Sequence, residues 1–271
     1  MLTVKEASLA FGGIQALSDV SFTARAGEIT AIIGPNGAGK TSLFNIISGF
    51  YRPQQGQILF ADSDITRLRP DKRAQLGIAR TFQNLALFRG MSVLDNIKLG
   101  GHVRLRSGFW ASGWYYGAAR REEEALRHDL EREVIDFLEL DHIRKAPVAA
   151  LPYGLQKRVE LGRALAMKPQ VLLLDEPVAG MNREETEDMA RFILDIQERW
   201  QTTILLVEHD MGMVMDLSDQ VVVLNFGKQI AAGTPDAVQR NPDVVAAYLG
   251  TPETQQAALT KDTKATVQEQ S

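Results

Sequence analysis

The stretch Ile29-Thr-Ala-Ile-Ile33-Gly34-Pro-Asn-Gly-Ala-Gly39-Lys40-Thr41 predicts a phosphate-binding loop between a strand and a helix. Its β-branched apolar run is typical of a buried strand. The glycines let the following backbone N–H groups turn towards an anion, and the helix expected from Thr41 to Gly49 would point its positive dipole end at the same place. Lys40 would then contact the β- and γ-phosphates, and the Thr41 hydroxyl would ligate Mg²⁺. The alternative is a glycine-rich turn that binds nothing.

Composition limits the class of protein. The chain has 271 residues, of which 45% are hydrophobic, so it is one large domain or a domain with a subdomain. No run of about 18 apolar residues is present, so we expect any membrane role to depend on a partner. The N-terminus lacks the pattern of a signal peptide, which predicts a protein that stays inside the cell. Cysteine is absent, which excludes disulfides and thiolate metal sites, and the net charge of −4 argues against nucleic acid as the main ligand.

Short strands are predicted on both sides of the phosphate-binding loop. They are Leu2–Val4, Val20–Thr23 and Gln57–Phe60. Between the first two lies Phe11-Gly12-Gly13, an aromatic residue on a glycine loop. Phe11 is either a core residue beside a turn or a stacking platform for a purine, and the residues alone favour neither.

The middle of the chain mixes regular and irregular segments. We expect a helix from Pro70 to Gly77, a strand from Ile78 to Phe82 leading to Gln83, and a helix from Ser92 to Leu99. Apart from this last helix, the segment from Gln83 to about residue 120 has no regular hydrophobic pattern. It is rich in aromatic residues and contains two of the three tryptophans. This aromatic insertion either packs on its own subdomain or is a docking surface for a partner.

The second half alternates helices and strands, which is typical of an α/β fold. In order, the predicted segments are the amphipathic helix Arg120–Leu140, a helix that follows Leu151-Pro-Tyr-Gly-Leu-Gln156 and ends at Ala166, the buried strand Val171–Leu174, the helix Glu184–Trp200, the strand Thr203–Val207, a further helix, the strand Val221–Leu224 and two short helices. After Leu249-Gly250 the chain is polar, and we expect this tail to be disordered, an interaction role being the alternative.

Polar side chains that suit phosphoryl transfer follow these strands. Asp175 and Glu176 end a buried strand, where Asp175 can hold Mg²⁺ and Glu176 can accept the proton of an attacking water. His209 follows another strand and could donate to a γ-phosphate, although alone it would more often be a structural histidine. Gln83 could reach the metal or the water, although an isolated Gln is usually a surface residue.

Taken together, these motifs resemble those of the nucleotide-binding subunit of ABC transporters over nearly all of residues 1–250. The resemblance implies a P-loop NTPase core of α/β class with an antiparallel β subdomain and a helical subdomain at about residues 84–165, and it leaves residues 251–271 as the tail. It also implies that two such subunits close head to tail on two ATP molecules, with Glu176 as the base and His209 as the switch residue.

The same resemblance assigns the site residues. The residues that it implies for catalysis are Glu176, His209, Gln83 and Lys40, and those for Mg²⁺ are Thr41, Gln83 and Asp175. The residues that it implies for ATP are Phe11, Gly34, Pro35, Asn36, Gly37, Ala38, Gly39, Lys40, Thr41, Ser42, Gly154 and Asp175.

Several motifs resemble one branch of that family, the Liv-type importers of branched-chain amino acids, and the long insertion resembles their larger ATPase subunit. These motifs are Arg80-Thr-Phe-Gln83-Asn, Leu151-Pro-Tyr-Gly, Ala179-Gly-Met-Asn182, Val207-Glu-His-Asp-Met211 and the closing Ala-Tyr-Leu-Gly250. The branch implies partners: two transmembrane permease subunits, a second ATPase subunit that is identical or paralogous, and a periplasmic or extracellular solute-binding protein. It also implies a peripheral position on the cytoplasmic face of the cell membrane.

This chain departs from the general family at its signature segment. Pro152 replaces the usual Ser and lacks both hydroxyl and N–H, Tyr153 replaces the first Gly, and Leu155 replaces the Gln. Gly154 and the start of the next helix can still present N–H groups to a phosphate of the opposite subunit. Asn182 stands where the family often has Asp. The alternatives to an importer subunit are the ATPase of a lipid or envelope exporter, a soluble ABC-type ATPase not linked to transport, and a regulatory module that hardly hydrolyses ATP.

Overall fold

The computed structural model describes residues 1–83, 85–102 and 128–249. Residues 103–120 of the aromatic insertion, the first part of the predicted helix 120–140 and the polar tail 251–271 lie outside the described residues. None of the helices in the described part of the chain combines the length and the apolar character needed to cross a membrane.

The described strands and helices follow one another along the chain. The strands are β1 (Leu2–Phe11), β2 (Ile14–Ala24), β3 (Ile29–Ile33), β4 (Gln55–Phe60), β5 (Ser63–Asp64), β6 (Ile78–Arg80), β7 (Val171–Asp175), β8 (Thr203–Val207), β9 (Gln220–Asn225) and β10 (Lys228–Gly233). The α-helices are α1 (Lys40–Ser48), α2 (Pro70–Gln75), α3 (Val93–Gly101), α4 (Tyr153–Leu165), α5 (Arg183–Trp200), α6 (Met211–Leu217), α7 (Pro235–Gln239) and α8 (Pro242–Leu249). Short turns of other helix types occupy Glu131–Ile135, Asp141–Ile143 and Val148–Ala150.

The strands form two sheets. The six-stranded sheet has the order β10-β9-β3-β8-β7-β6, in which all neighbours are parallel except β10, which pairs antiparallel with β9. The four-stranded sheet has the order β2-β1-β4-β5 and is antiparallel. The predicted P-loop core and antiparallel β subdomain are therefore both present.

The central strands are buried on both faces, which is why they are continuously apolar. All five residues of β3, β7 and β8 are buried. Their side chains alternate between faces: Leu173 and Leu205 pack with α1 and the four-stranded sheet, whereas Leu172 and Ile204 pack with α4 and α5. A third apolar cluster joins β3 and β9 to α6, α7 and α8. Packing on both faces of the six-stranded sheet therefore fixes the positions of its strand ends.

Helix boundaries agree with local capping chemistry. Asn182 caps α5: its Oδ1 accepts from the Glu185 N–H at 2.9 Å, and Glu185 Oε2 accepts from the Asn182 N–H at 3.0 Å. Ser92 caps α3 with its side chain alone: its Oγ accepts from the Asp95 N–H at 3.1 Å. The helix predicted from Ser92 thus begins one residue later, with Ser92 as its cap.

Some sequence predictions of element length are wrong. The first two strands are ten and eleven residues long rather than three and four, because the β1–β2 hairpin continues past the apolar residues to Phe11. The strand expected over Ile78–Phe82 ends at Arg80, and the Thr81 N–H makes the last backbone hydrogen bond to β7, at 2.9 Å from the Leu173 carbonyl. The end of the predicted helix 120–140 contains a one-turn π-helix at Glu131–Ile135, although its apolar face is buried as expected at Leu130, Val134 and Leu138. Strands β5 and β10 were not predicted.

Candidate functional site

The parallel register brings several strand ends to one edge of the six-stranded sheet. Asp175 lies opposite Val207 across β7 and β8, Ile32 lies opposite Val207 across β3 and β8, and Arg80 lies opposite Leu173 across β6 and β7. The segments that follow these strands therefore leave the sheet side by side. They carry the phosphate-binding loop, Gln83, Glu176 and His209.

The phosphate-binding loop curls around its own lysine. Lys40 begins α1 and is buried, and its Nζ donates to the carbonyl oxygens of Gly34 at 2.6 Å and Pro35 at 3.1 Å. Burial lowers the pKa of Lys40, while the negative charges of Glu176 and Asp175 oppose that shift. The ammonium thus already lies in the field of the two carboxylates, at a helix N-terminus suited to anions.

Gly39 is required where the loop enters α1. Its φ is 104°, a left-handed conformation that L side chains rarely adopt, and a Cβ there would lie 2.6 Å from the Ala16 carbonyl oxygen. The β9–β10 turn supports the same place, since the Gly227 N–H donates to the Ala38 carbonyl at 3.0 Å. The shape of the loop therefore depends on contacts with β2 and with the β9–β10 hairpin.

Glu176 lies between the two other predicted catalytic side chains. Gln83 Nε2 donates to its Oε2 at 2.9 Å, and His209 Nε2 lies 2.8 Å from its Oε1. Its backbone is anchored by the Glu176 N–H, which donates to the Val207 carbonyl at 2.9 Å. Gln83, Glu176 and His209 are thus brought together as predicted, and the carboxylate has both oxygens engaged.

Asp175 is buried beside an arginine. Arg80 Nη2 donates to Asp175 Oδ2 at 2.8 Å, and the two side chains are 8% and 2% exposed. Thr81 Oγ1 accepts from the Asp175 N–H at 3.3 Å. Asp175 therefore projects from the end of β7 with one carboxylate oxygen held.

Helix α4 holds the segment around Gln83 from the other side. Lys157 Nζ lies 3.4 Å from the Gln83 carbonyl and 3.5 Å from the Glu176 carbonyl. The Phe82 N–H donates to Glu160 Oε1 at 3.2 Å, and Arg163 donates to the Ala86 carbonyl. One face of α4 thus anchors the backbone on both sides of Gln83.

Glu208 supports His209. It is buried, its Oε1 accepts from the Val178 N–H at 3.1 Å, and its Oε2 accepts from the His209 N–H at 3.1 Å. Burial raises the pKa of Glu208, and these two backbone hydrogen bonds counter part of the shift. Glu208 therefore ties the loop after β7 to the segment after β8.

The remaining predicted residues lie around this centre. Phe11 is 44% exposed and packs edge to face on Tyr51, with ring centroids 5.1 Å apart, so it is not a core residue. Thr41 is exposed in the first turn of α1, followed by Ser42. Gly154 is the second residue of α4 and lies so close to α5 that a Cβ there would be 2.2 Å from Glu185 Oε1. Its expected role concerns the nucleotide of an opposite subunit.

Sequence reasoning did not assign a role to four charged residues of this centre. They are Arg80, Lys157, Glu160 and Glu208, all buried or nearly so. A sequence pattern could have pointed to each of them. Arg80 and Glu208 are charged residues at the end of a buried strand, and Lys157 and Glu160 are an oppositely charged pair three residues apart on one helix face.

The fold and the phosphate-binding loop, with a carboxylate pair, a glutamine and a histidine at one sheet edge, define an ATP-binding cassette. The chain belongs to the ABC transporter family, whose model matches residues 17–179, more than half of it. A second family model, described as a branched-chain amino acid ATP-binding cassette transporter, matches residues 228–254.

Curated relatives match over almost their full length. The chain is 41% identical to the high-affinity branched-chain amino acid transport ATP-binding protein LivG of Salmonella typhimurium, over 252 residues that cover 92% of this chain and 98% of that protein. It is 38% identical to the high-affinity branched-chain amino acid transport ATP-binding protein BraF of Pseudomonas aeruginosa, with the same two coverages.

Solved cassettes share the structure. A nucleotide-free ATP-binding cassette from an ABC transporter superposes with a TM-score of 0.80 at 32% identity, covering 93% of this chain and 99% of that one. The ADP conformation of an ATP-binding cassette gives the same TM-score, identity and coverage.

Proposed function

We propose that this chain is the ATP-hydrolysing, energy-coupling subunit of an importer for branched-chain amino acids or related small organic solutes. The observation that carries the proposal is the placement of Glu176 between Gln83 and His209, at the sheet edge that also bears Lys40 and Asp175. The solute class is supported by the names of the relatives and by the second family model, which matches residues 228–254.

In this proposal the nucleotide phosphates lie on the loop Gly34–Thr41, and Ser42 continues the same helix turn. The loop supplies backbone N–H groups at the N-terminus of α1. Lys40 moves its ammonium from the Gly34 and Pro35 carbonyls to the phosphates, to which it offers a compact point charge. The exposed ring of Phe11 stacks on the adenine.

The residues present also suit Mg²⁺. The described residues hold no group of three or more His, Cys, Asp or Glu side chains able to bind a metal, so phosphate oxygens would have to complete the shell. Mg²⁺ is commonly bound in this way, through one or two protein oxygens plus substrate phosphates. Thr41 supplies a hydroxyl, Asp175 a carboxylate and Gln83 an amide oxygen, and the bound ion would neutralise charge on the phosphates.

Glu176 acts as the general base that orients the attacking water. Its carboxylate is only 16% exposed, and Gln83 and His209 hold it in place, so water reaches it by replacing one of these two contacts. His209 Nε2 is then available to the γ-phosphate. Catalysis in this scheme consists of positioning and charge stabilisation, as phosphoryl transfer requires.

The proposal includes partners. Two ATPase subunits, identical or paralogous, close head to tail so that Gly154 and the α4 N-terminus complete the opposite site. Two transmembrane permeases dock near Gln83 and receive the closing motion, and a periplasmic or extracellular solute-binding protein delivers the solute. The subunit lies peripherally on the cytoplasmic face of the membrane. Support comes from the relatives, which are named as ATP-binding proteins of transport systems.

The test compares the purified chain with E176Q and a control, E187Q, which alters an exposed carboxylate paired with Arg183 on α5. We expect wild type and E187Q to release phosphate from Mg-ATP at equal rates, rising more than linearly with protein concentration. E176Q should lose at least about 100-fold in rate and keep its ATP affinity. Equal rates in E176Q and wild type would contradict the role of Glu176.

Transport is tested in cells that lack this subunit. Leucine uptake should return with the wild-type gene and with E187Q, and should not return with E176Q. Restored uptake by E176Q would overturn the proposed coupling of ATP hydrolysis to transport. Normal leucine uptake in the deletion strain, together with failed uptake of another solute, would overturn the proposed solute class.

A further inference from the structure

Arg80 connects three parts of the site in one buried position. Its Nη2 donates to Asp175 Oδ2 at 2.8 Å, and its Nη1 donates to Asn45 Oδ1 at 2.7 Å and Ser48 Oγ at 3.1 Å. Asn45 and Ser48 belong to α1, the helix that begins with Lys40 and Thr41. Arg80 thus joins the end of β6 to the carboxylate of β7 and to the phosphate-loop helix.

The guanidinium is locked in place. It lies between two aromatic rings, with Cζ 5.6 Å from the Phe44 centroid and 5.4 Å from the Phe82 centroid. Its Nε is buried and lacks a hydrogen-bond partner among the described residues. The hydrogen bonds and the two rings hold the guanidinium charge beside Asp175.

The positive charges next to Asp175 affect how strongly this carboxylate can bind Mg²⁺. Two cations face Asp175: Lys40, which is proposed to serve the phosphates, and Arg80, which has no such alternative task. Arg80 occupies Oδ2, so the carboxylate would meet an ion through its other oxygen while already half-neutralised. In a buried site a nearby fixed positive charge opposes a second cation strongly.

We propose that Arg80 is a positioning residue that weakens the hold of Asp175 on Mg²⁺, so that the metal exchanges with the nucleotide instead of remaining on the protein. In this proposal Arg80 acts through Asp175, which its guanidinium contacts at 2.8 Å. The inference rests on the proposed ATP site, and its test therefore measures ATP binding without metal separately.

The variants are R80M, R80K and R73M. In R80M, methionine keeps much of the bulk of arginine next to the two rings and removes the charge. In R80K, lysine keeps the charge but cannot donate from two nitrogens as the guanidinium does. Arg73 is the matched control, because it is also fully buried beside α1, where it donates to the carbonyls of Ile46 and Ile47 and does not touch Asp175. R80Q replaces R80M if the latter does not fold.

The readout is binding of a fluorescent ATP analogue, first in EDTA and then during Mg²⁺ titration. Affinity in EDTA reports whether the nucleotide site itself is intact. We expect R80M to lower the half-saturating Mg²⁺ concentration by about fivefold or more, and R80K and R73M to stay within about twofold of wild type.

The outcomes separate the two proposals. Binding in EDTA by all proteins, with a fall in half-saturating Mg²⁺ confined to R80M, supports the role of Arg80. Binding in EDTA with an unchanged or higher half-saturating Mg²⁺ in R80M, or with the same fall in R73M, overturns it and leaves the ATP site standing. Failure of the wild type to bind the analogue overturns both.

Discussion

Replacing Lys157 by methionine should expose how much the fold depends on one buried charge pair. Lys157 Nζ lies 3.9 Å from Glu160 Oε2, and both side chains are 2% exposed. Methionine retains most of the volume of lysine, so the substitution removes the ammonium without opening a large cavity. What remains is a buried carboxylate that keeps the backbone N–H groups of Phe82 and Ala86 as donors and still feels the charge of Arg163, but has lost the ammonium of Lys157.

The size of the effect follows from the distance. Two unit charges 3.9 Å apart attract each other by about 4 kcal/mol at an effective dielectric constant of about 20. Removing one partner of a buried ion pair typically costs about 3–5 kcal/mol, because the other charge stays buried. We therefore expect K157M to lower the free energy of unfolding by about 3–4 kcal/mol at pH 7.5, and K157M/E160Q to recover at least about half of that loss.

The pH dependence has a definite sign. Burial raises the pKa of Glu160, and the ammonium of Lys157 lowers it again, so the substitution lets burial raise it further. A carboxyl group with a higher pKa in the folded state destabilises that state when ionised, and the penalty fades as pH falls through the folded-state pKa. The stability loss of K157M should thus be smaller at pH 5.5 than at pH 7.5.

Urea unfolding of the wild type, K157M, E160Q and the double variant, followed by circular dichroism at both pH values, measures these quantities. A loss below about 1 kcal/mol for K157M, or strictly additive losses in the double variant, would refute the reasoning from buried charge.

Three further substitutions have expected outcomes. G39A places a Cβ 2.6 Å from the Ala16 carbonyl oxygen at a φ of 104°. It should therefore lower the free energy of unfolding by about 1–3 kcal/mol and reduce the affinity for a fluorescent ATP analogue at least tenfold. Equal affinities of G39A and wild type would disprove this effect. N182A removes the cap of α5 and should lower stability by about 1 kcal/mol in urea unfolding, whereas N182D should stay near wild type because aspartate also caps; equal losses in both would exclude a capping role. R73M leaves the last carbonyls of α1 without their donor and should lose about 3 kcal/mol, with a loss under 1 kcal/mol contradicting that role.

Local patterns were enough to predict the core of the fold. The strand Thr203–Val207 has the predicted bounds, and the helix predicted over Glu184–Trp200 differs from α5 by one residue. Both are strongly periodic or continuously apolar, and both end at clear capping or turn residues. The side chains of Gln83, Glu176 and His209 also converge, because parallel strands end at a common edge of the sheet.

Tertiary contacts decided what the sequence did not reveal. Strand β10, Lys228–Gly233, lacks a continuous apolar run because it is an edge strand that is only partly buried. Strand β6 is an edge strand whose last backbone hydrogen bond to β7 runs from the Thr81 N–H to the Leu173 carbonyl, and the next N–H, that of Phe82, donates to Glu160 on α4. The roles of Arg80 and Lys157 depend on partners about 95 and 74 residues away in sequence, a separation that no local pattern records.

The position of β3 at the centre of its sheet has a consequence for biosynthesis. Ile29–Ile33 pairs with Thr203–Val207 and Gln220–Asn225, so it finds neither neighbour until more than 200 residues have been made. During translation this apolar strand therefore stays unpaired until its partner strands have been synthesised, and until then it can associate with other chains. The phosphate-binding loop that it carries, although encoded near the N-terminus, therefore becomes structured late, and a ribosome-bound fragment that ends before residue 200 should need chaperone protection and should be unable to bind nucleotide in the native manner.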